Sequence, residues 1–167
     1  MYRIKYSSNT VQKAINDIAE KVHITDNSYL LILMNGGMWF AHELIRRFLT
    51  PPPFVNVIKI SSRVGKEQSD LKIEYLPLMN LEGKDVIVVD DICDSGITLN
   101  AISDWLAEQH SASQTFVTLI KRKGGHLRED INLVTGIVDD SGDFFVGCGM
   151  DNNGKDRYLP YLGVIDC

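Results

Sequence analysis

The chain has 167 residues, 44% of them apolar and 23% charged, and a net charge of −5. That length predicts one domain spanning residues 1–167, and the composition excludes a disordered, collagen-like or coiled-coil chain. An acidic chain with no apolar run of the ~18 residues that a membrane span needs is expected to bind neither nucleic acid nor a membrane. The charge is uneven, with 11 Lys and Arg against 8 Asp and Glu in residues 1–84, and 6 against 14 in residues 85–167. The opening MYRIKYSSNT has no apolar signal core. Three scattered cysteines, Cys93, Cys148 and Cys167, make neither a disulfide framework nor a zinc site. A cytoplasmic location is the expectation.

From the N-terminus, Val11, Ala14, Ile15, Ile18, Ala19 and Val22 recur at the spacing of an amphipathic helix, with Ser8 or Asn9 to cap it. Tyr29–Met34 is a continuous apolar run, the pattern of a buried strand. Asn35-Gly36-Gly37 breaks it, and Met38–Phe48 reads as a helix stopped before Pro51-Pro52-Pro53. Phe54–Ser61 alternates like a strand, Ser62–Asp70 is polar and loop-like, and Leu71–Tyr75 is a short strand pairing back as a hairpin. Asp85–Val89 is the clearest buried strand. After Asp90-Asp91 and a glycine turn comes a helix with Leu99, Ile102, Trp105 and Leu106 on one face. Thr115–Ile120, Val134–Val138, Phe144–Val146 and Tyr161–Ile165 complete the strands. The alternation predicts an α/β fold of three layers, a mostly parallel central sheet with helices on both faces.

Ligands of such sheets bind beyond the carboxyl ends of the strands. Three segments with unusual chemistry fall there: Asn35–Gly37, Asp90–Thr98, and Lys121 with its followers. Adjacent carboxylates at a strand end repel each other unless they accept hydrogen bonds from a polyol or face a cation. Asp90 and Asp91 are such a pair. Four residues on, Gly96 permits a tight turn, Ser95 and Thr98 add hydroxyl donors, and a helix N-terminus follows, together a cradle for phosphate. A ribose 5-phosphate has that layout.

The string Val88–Thr98 resembles the phosphoribosyl-diphosphate (PRPP) signature of type I phosphoribosyltransferases. From about Tyr29 to Ile165 the chain is similar to the hypoxanthine-guanine branch of that family. The resemblance implies purine salvage: PRPP and a 6-oxopurine give IMP or GMP and pyrophosphate, with Mg2+ as cofactor, in a homodimer or homotetramer. It also implies a small hood formed by the N- and C-terminal segments. Asp94 would be the acid/base group near purine N7. Asp90 and Asp91 would hold the ribose hydroxyls, and Ser95, Gly96, Ile97 and Thr98 the 5-phosphate. Asn35, Gly36, Gly37 and Arg157 would face pyrophosphate, and Asp151 would stand on the magnesium shell. Lys121 would donate to O6 of the base, Phe144 would stack on the ring, and the backbone of Phe145 would read its edge. Ser62–Asp70 would be a loop closing over the site. The chain departs from the family at Asn35, where some members have Lys, at Val64, where a loop Tyr is usual, and at Asn152-Asn153, where Tyr-Asn is common.

Two other readings compete. A non-catalytic nucleotide sensor would keep Asp90–Thr98 while losing turnover, but it would not need Asp94, Lys121 and Asp151 together. A phospho-receiver domain places its acidic pair near the chain start with several βα units after it, whereas few helical patterns follow Asp91. Asp139, Asp140 and Asp143 read as solubility charges.

Overall fold

The computed structural model describes residues 2–64 and 69–165. Among these residues the order is β1 (Tyr2–Tyr6), α1 (Ser8–Ala19), β2 (Ser28–Met34), α2 (Gly37–Ile45), β3 (Phe54–Val64), β4 (Ser69–Tyr75) and β5 (Asp85–Cys93). There follow α3 (Ile97–Glu108), β6 (Ser113–Arg122), β7 (Leu133–Asp139), β8 (Phe145–Val146) and β9 (Leu162–Ile165). Six strands form one sheet in the order β4-β3-β2-β5-β6-β7, parallel except for the edge strand β4. The expected three layers are present. Alternate side chains of a strand point to opposite faces, so β2 and β5 feed two cores. Leu30, Ile32, Ile87 and Val89 meet α1 and α2, whereas Leu31, Leu33, Val86 and Val88 meet α3.

The helices form where the apolar spacing predicts. Val11, Ala14, Ile15 and Ile18 are the buried stripe of α1, which starts one residue earlier than expected because Ser7 is the cap, accepting from the Thr10 amide at 3.2 Å. α2 ends at Ile45, short of Phe48, which still packs on the same core. Several strands outrun their apolar patterns. β5 continues through Asp90 and Asp91 to Cys93, because β6 still pairs with it (Asp90 opposite Thr118, Cys93 opposite Lys121). β3 and β4 pair as far as Val64 and Ser69, so the strands take in most of the segment expected to be a loop. Its middle, Gly65–Gln68, lies outside the described residues.

A second, three-stranded sheet, β1-β9-β8, is the hood, built from the two ends of the chain as expected. β1 itself went unread in Tyr2–Tyr6. The hood is tied to β7 through Asp139, which is 3% exposed and not a surface charge. Asp139 accepts from Tyr6 Oη at 2.7 Å and from the Ser141 hydroxyl and amide at 2.6 and 2.9 Å, and lies 3.0 Å from Lys5 Nζ. Burial alone would push its carboxyl up, but these donors outweigh burial and hold it below the usual carboxylate range. Burial and the same carboxylate push the Tyr6 hydroxyl up to about 12. A carboxyl held low in the folded state stabilises the fold above the ordinary value near pH 4 and ceases to as pH falls. Asp139→Asn, which leaves Tyr6 and Lys5 short of an acceptor, is therefore expected to cost about 1–3 kcal/mol. In a thermal melt at pH 7 that is a fall of roughly 2–10 °C; an unmoved melting temperature would show that the cluster does not brace the hood.

Candidate active site

The strand order places a crevice in the sheet. The chain leaves β2 for β3 through α2 on one face, and leaves β5 for β6 through α3 on the other. Between β2 and β5 the connections therefore diverge, the topological switch point where open α/β sheets bind ligands. Pairing between the two strands stops at Ile32 opposite Val89. Beyond it Asn35–Gly37 and Asp90–Thr98 face each other. The Met34–Asn35 peptide is cis.

Asp90 and Asp91 stand at this opening. Gly36 is required beside them, since a Cβ there would collide with the Asp91 carboxylate. Asp91 is 9% exposed, and the Asp91 amide donates to Asp90 Oδ1 at 2.9 Å. Burial, reinforced by the neighbouring Asp91, pushes the Asp90 carboxyl well above its ordinary range, and burial raises Asp91 as well. The pair lines hollows on both sides, one of about 230 Å³ that runs along Asp94–Thr98 and one of about 280 Å³ reached by Gly36, Asp151 and Arg157.

The turn after β5 is held open rather than capped. Gly96 adopts φ +82° and opens α3 without a side-chain cap of its own; the Ile97 amide donates to Ser95 Oγ at 3.4 Å, and the amides that follow are left for a ligand. The chain after β6 clasps this turn from outside. The His126 amide donates to Ser95 O at 2.6 Å, Asn100 Nδ2 donates to His126 O at 2.8 Å, and the Arg128 amide donates to Asn100 Oδ1 at 3.1 Å. A Cβ on Gly96 would strike Leu127. Asn100 was not among the expected site residues, and only its place one turn into the helix hints at the role.

A third hollow, of about 230 Å³, lies between Ile92, Asp94, Arg122, Phe144, Phe145, Met150 and the acidic residues Asp91 and Asp151. Phe144 is 56% exposed at its rim, and Phe145 is buried in the core beneath. Phe144 lies just outside β8, which starts at Phe145, one residue later than expected. Lys121 lines an adjoining hollow with Cys93 and Gly125, to which Asp94 and Arg122 also contribute. The cation in the Phe144 hollow is Arg122, which is not among the expected site residues.

On the side of Gly36, Arg157 Nη2 lies 2.7 Å from Asp151 Oδ1, and its Nη1 donates to Gly149 O at 2.7 Å. Gly149 in turn abuts the Gly36 carbonyl, where a Cβ would collide. This packing brings Asp151 and Arg157 to the crevice. The described residues contain no cluster of three metal ligands. One half-exposed carboxylate suits magnesium, which is commonly held by one or two carboxylates plus substrate phosphates and water. The structure thus brings together Asn35–Gly37, Asp90–Thr98, Phe144, Asp151 and Arg157, with Lys121 one hollow away. A larger cavity, about 640 Å³ between the ends of α1 and α2, shares none of these residues.

Residues 6–153 match the phosphoribosyl transferase domain. The chain is 30% identical over 158 residues to the hypoxanthine-guanine phosphoribosyltransferase of Streptococcus thermophilus, covering 93% of this chain and 87% of that protein. It is 30% identical over 154 residues to the hypoxanthine-guanine phosphoribosyltransferase of Mycobacterium tuberculosis, covering 90% and 75%. In fold it is similar to a hypoxanthine phosphoribosyltransferase from Staphylococcus aureus, with a TM-score of 0.88 and 22% identity over 98% of this chain and 91% of that one. No helix among the described residues is long and apolar enough to cross a membrane.

Proposed function

The chain belongs to the phosphoribosyltransferase family, and from that membership we propose purine salvage as its work. It transfers the 5-phosphoribosyl group of PRPP to N9 of hypoxanthine or guanine, giving IMP or GMP and pyrophosphate. The observation that carries this reading is the convergence, at one switch point, of the Asp90-Asp91 pair, the turn at Gly96 without a side-chain cap and the hollow rimmed by Phe144.

Each residue has a role that its chemistry suits. Asp90, half-buried, and Asp91, buried, are acceptors and take the ribose hydroxyls. The amides and hydroxyls of Ser95, Gly96, Ile97 and Thr98 hold the 5-phosphate at the α3 N-terminus. Asn35, Gly36 and Gly37 offer backbone to pyrophosphate, with Arg157 beside them. Phe144 stacks on the base, the backbone of Phe145 reads its edge, and Lys121 donates to O6 from the adjoining hollow. An ammonium donates and cannot accept, which favours 6-oxopurines. As the bond from C1 to pyrophosphate breaks and the bond to N9 forms, positive charge spreads over ribose and base, and Asp94 holds the proton at N7. Asp151 is the residue that would hold magnesium, whose charge would offset that of the pyrophosphate. A cytoplasmic homodimer or homotetramer fits this reading.

The test is incubation with PRPP, magnesium and each of hypoxanthine, guanine, xanthine and adenine, following nucleotide and pyrophosphate. Nucleotide is expected from hypoxanthine or guanine and lost on chelation. Adenine should fall behind by roughly 10⁴-fold, as for sites built around one substrate hydrogen bond. No product from any base would sink the enzyme and favour the nucleotide sensor.

A further inference from the structure

We propose that Arg122 is the positioning residue for Asp94, fixing one carboxylate oxygen so that the other is presented to the base; the inference rests on the phosphoribosyl-transfer reading above. Asp94 needs such a residue. It follows the last residue of β5, its side chain is 69% exposed, and among the described residues its carboxylate has a single ion-pair partner. That partner is Arg122, whose Nε lies 2.7 Å from Asp94 Oδ1.

Arg122 is not a solvated charge. Its side chain is 18% exposed, against 64% for Lys123 next to it. All three nitrogens of the guanidinium are used. Nη1 donates to the Ser141 carbonyl at 2.7 Å and Nη2 to the Asp143 carbonyl, while the carbon of the fork lies 5.0 Å from the centre of the buried Phe145 ring. The planar fork is thus pinned on two edges and one face, and its Nε side lies against Asp94 as an ion pair.

The pins are themselves rigid. Ser141 is bonded to Asp139 through its amide and hydroxyl, and Lys5 of β1 pairs with both Asp139 and Asp143 (Nζ to Asp143 Oδ2, 2.7 Å). The aspartates at and just after the end of β7 therefore serve two ends: Asp139 and Asp143 hold the turn that holds Arg122, and Asp140 reaches Lys123 at 3.5 Å on the surface. The chain of contacts runs from the hood through this turn to the group that handles the N7 proton. A lysine at 122 would keep the charge but could not serve two carbonyls and a carboxylate with one ammonium.

A double-mutant cycle tests this, with kcat and KM measured for the parent, Arg122→Met, Arg122→Lys, Asp94→Asn and the Arg122→Met/Asp94→Asn pair. Arg122→Met is expected to lower kcat at least about tenfold and leave KM for PRPP within about twofold. Arg122→Lys should stay at least about fivefold down despite its charge. In the Asp94→Asn background, Arg122→Met should cost less than about threefold, because the group it positions is gone. Should Arg122→Met give no cooperative melt, the same cycle is run with Arg122→Lys. Losses that multiply in the double variant, or a kcat within about twofold of the parent for the Arg122 variant, would overturn the proposal while leaving the transfer reaction intact. No nucleotide from the parent protein would overturn both.

Discussion

Asp94→Asn should lower kcat by about 10²–10³-fold, within the range that a positioned acid/base group contributes, and leave the affinity for PRPP close to the parent's. The argument is geometric. Asp94 lies at the border of three hollows, the one along Ser95–Thr98, the one rimmed by Phe144 and the one reached by Lys121. An asparagine there keeps the size and can still face Arg122, so the turn should survive. What it loses is the ability to accept and hold a proton at N7 while charge develops on the base. An effect on turnover with KM for PRPP unchanged marks an interaction made in the transition state only. Steady-state kinetics with hypoxanthine or guanine check it, and parental turnover would remove Asp94 from the chemistry.

Asp90→Asn should move stability and binding in opposite directions. The Asp90 carboxyl is pushed up by burial and by Asp91. A carboxyl whose folded value exceeds its unfolded one destabilises the fold wherever the unfolded chain is ionised. That cost begins above the ordinary value near pH 4 and is complete above the raised folded value. Removing the charge should therefore stabilise the ligand-free protein at pH 7 by about 1–2 kcal/mol, the size of gain common for destabilised functional positions. That is a rise of roughly 2–8 °C in melting temperature, fading as the pH approaches 4. Affinity for PRPP should meanwhile fall about 10–100-fold, the worth of a charged hydrogen bond to a ribose hydroxyl. Melting scans at pH 4 and 7, with a PRPP titration, separate the two. A lower melting temperature at pH 7, or unchanged PRPP binding, would contradict the assignment of Asp90 as a strained ribose acceptor.

Much of this site could be read from residue order because it is local. Asp90–Thr98 puts a hydroxyl-accepting pair, an acid/base candidate and a phosphate turn within nine consecutive residues, and a strand feeding a helix fixes their relative placement. The misses are long-range. The pattern of β5 was expected to end at Val89, since apolar alternation stops there, yet the ladder with β6 needs only backbone and runs on to Cys93. Asp139 and Asp143 read as surface charge because the cation that claims them, Lys5, lies at the other end of the chain. Arg122 did not stand out because two of its partners are main-chain carbonyls, which leave no trace in residue identity. Tyr2–Tyr6 has too few apolar positions to announce a strand, and it becomes one by pairing with β9.

That last pairing has a consequence for synthesis. Tyr2 sits opposite Ile165, so β1 waits for a strand that is made long after it. Until then β1 has open backbone donors and acceptors on both sides, the kind of edge that recruits wrong partners. Contacts this distant form late in folding. The nascent parallel sheet can collapse around β2 and β5 early, but Lys5 and Tyr6 reach Asp139 only when the hood closes. The turn carrying Ser141 and Asp143 is therefore braced last, and competence for chemistry should arrive in one step when β9 has paired with β1 rather than grow with chain length.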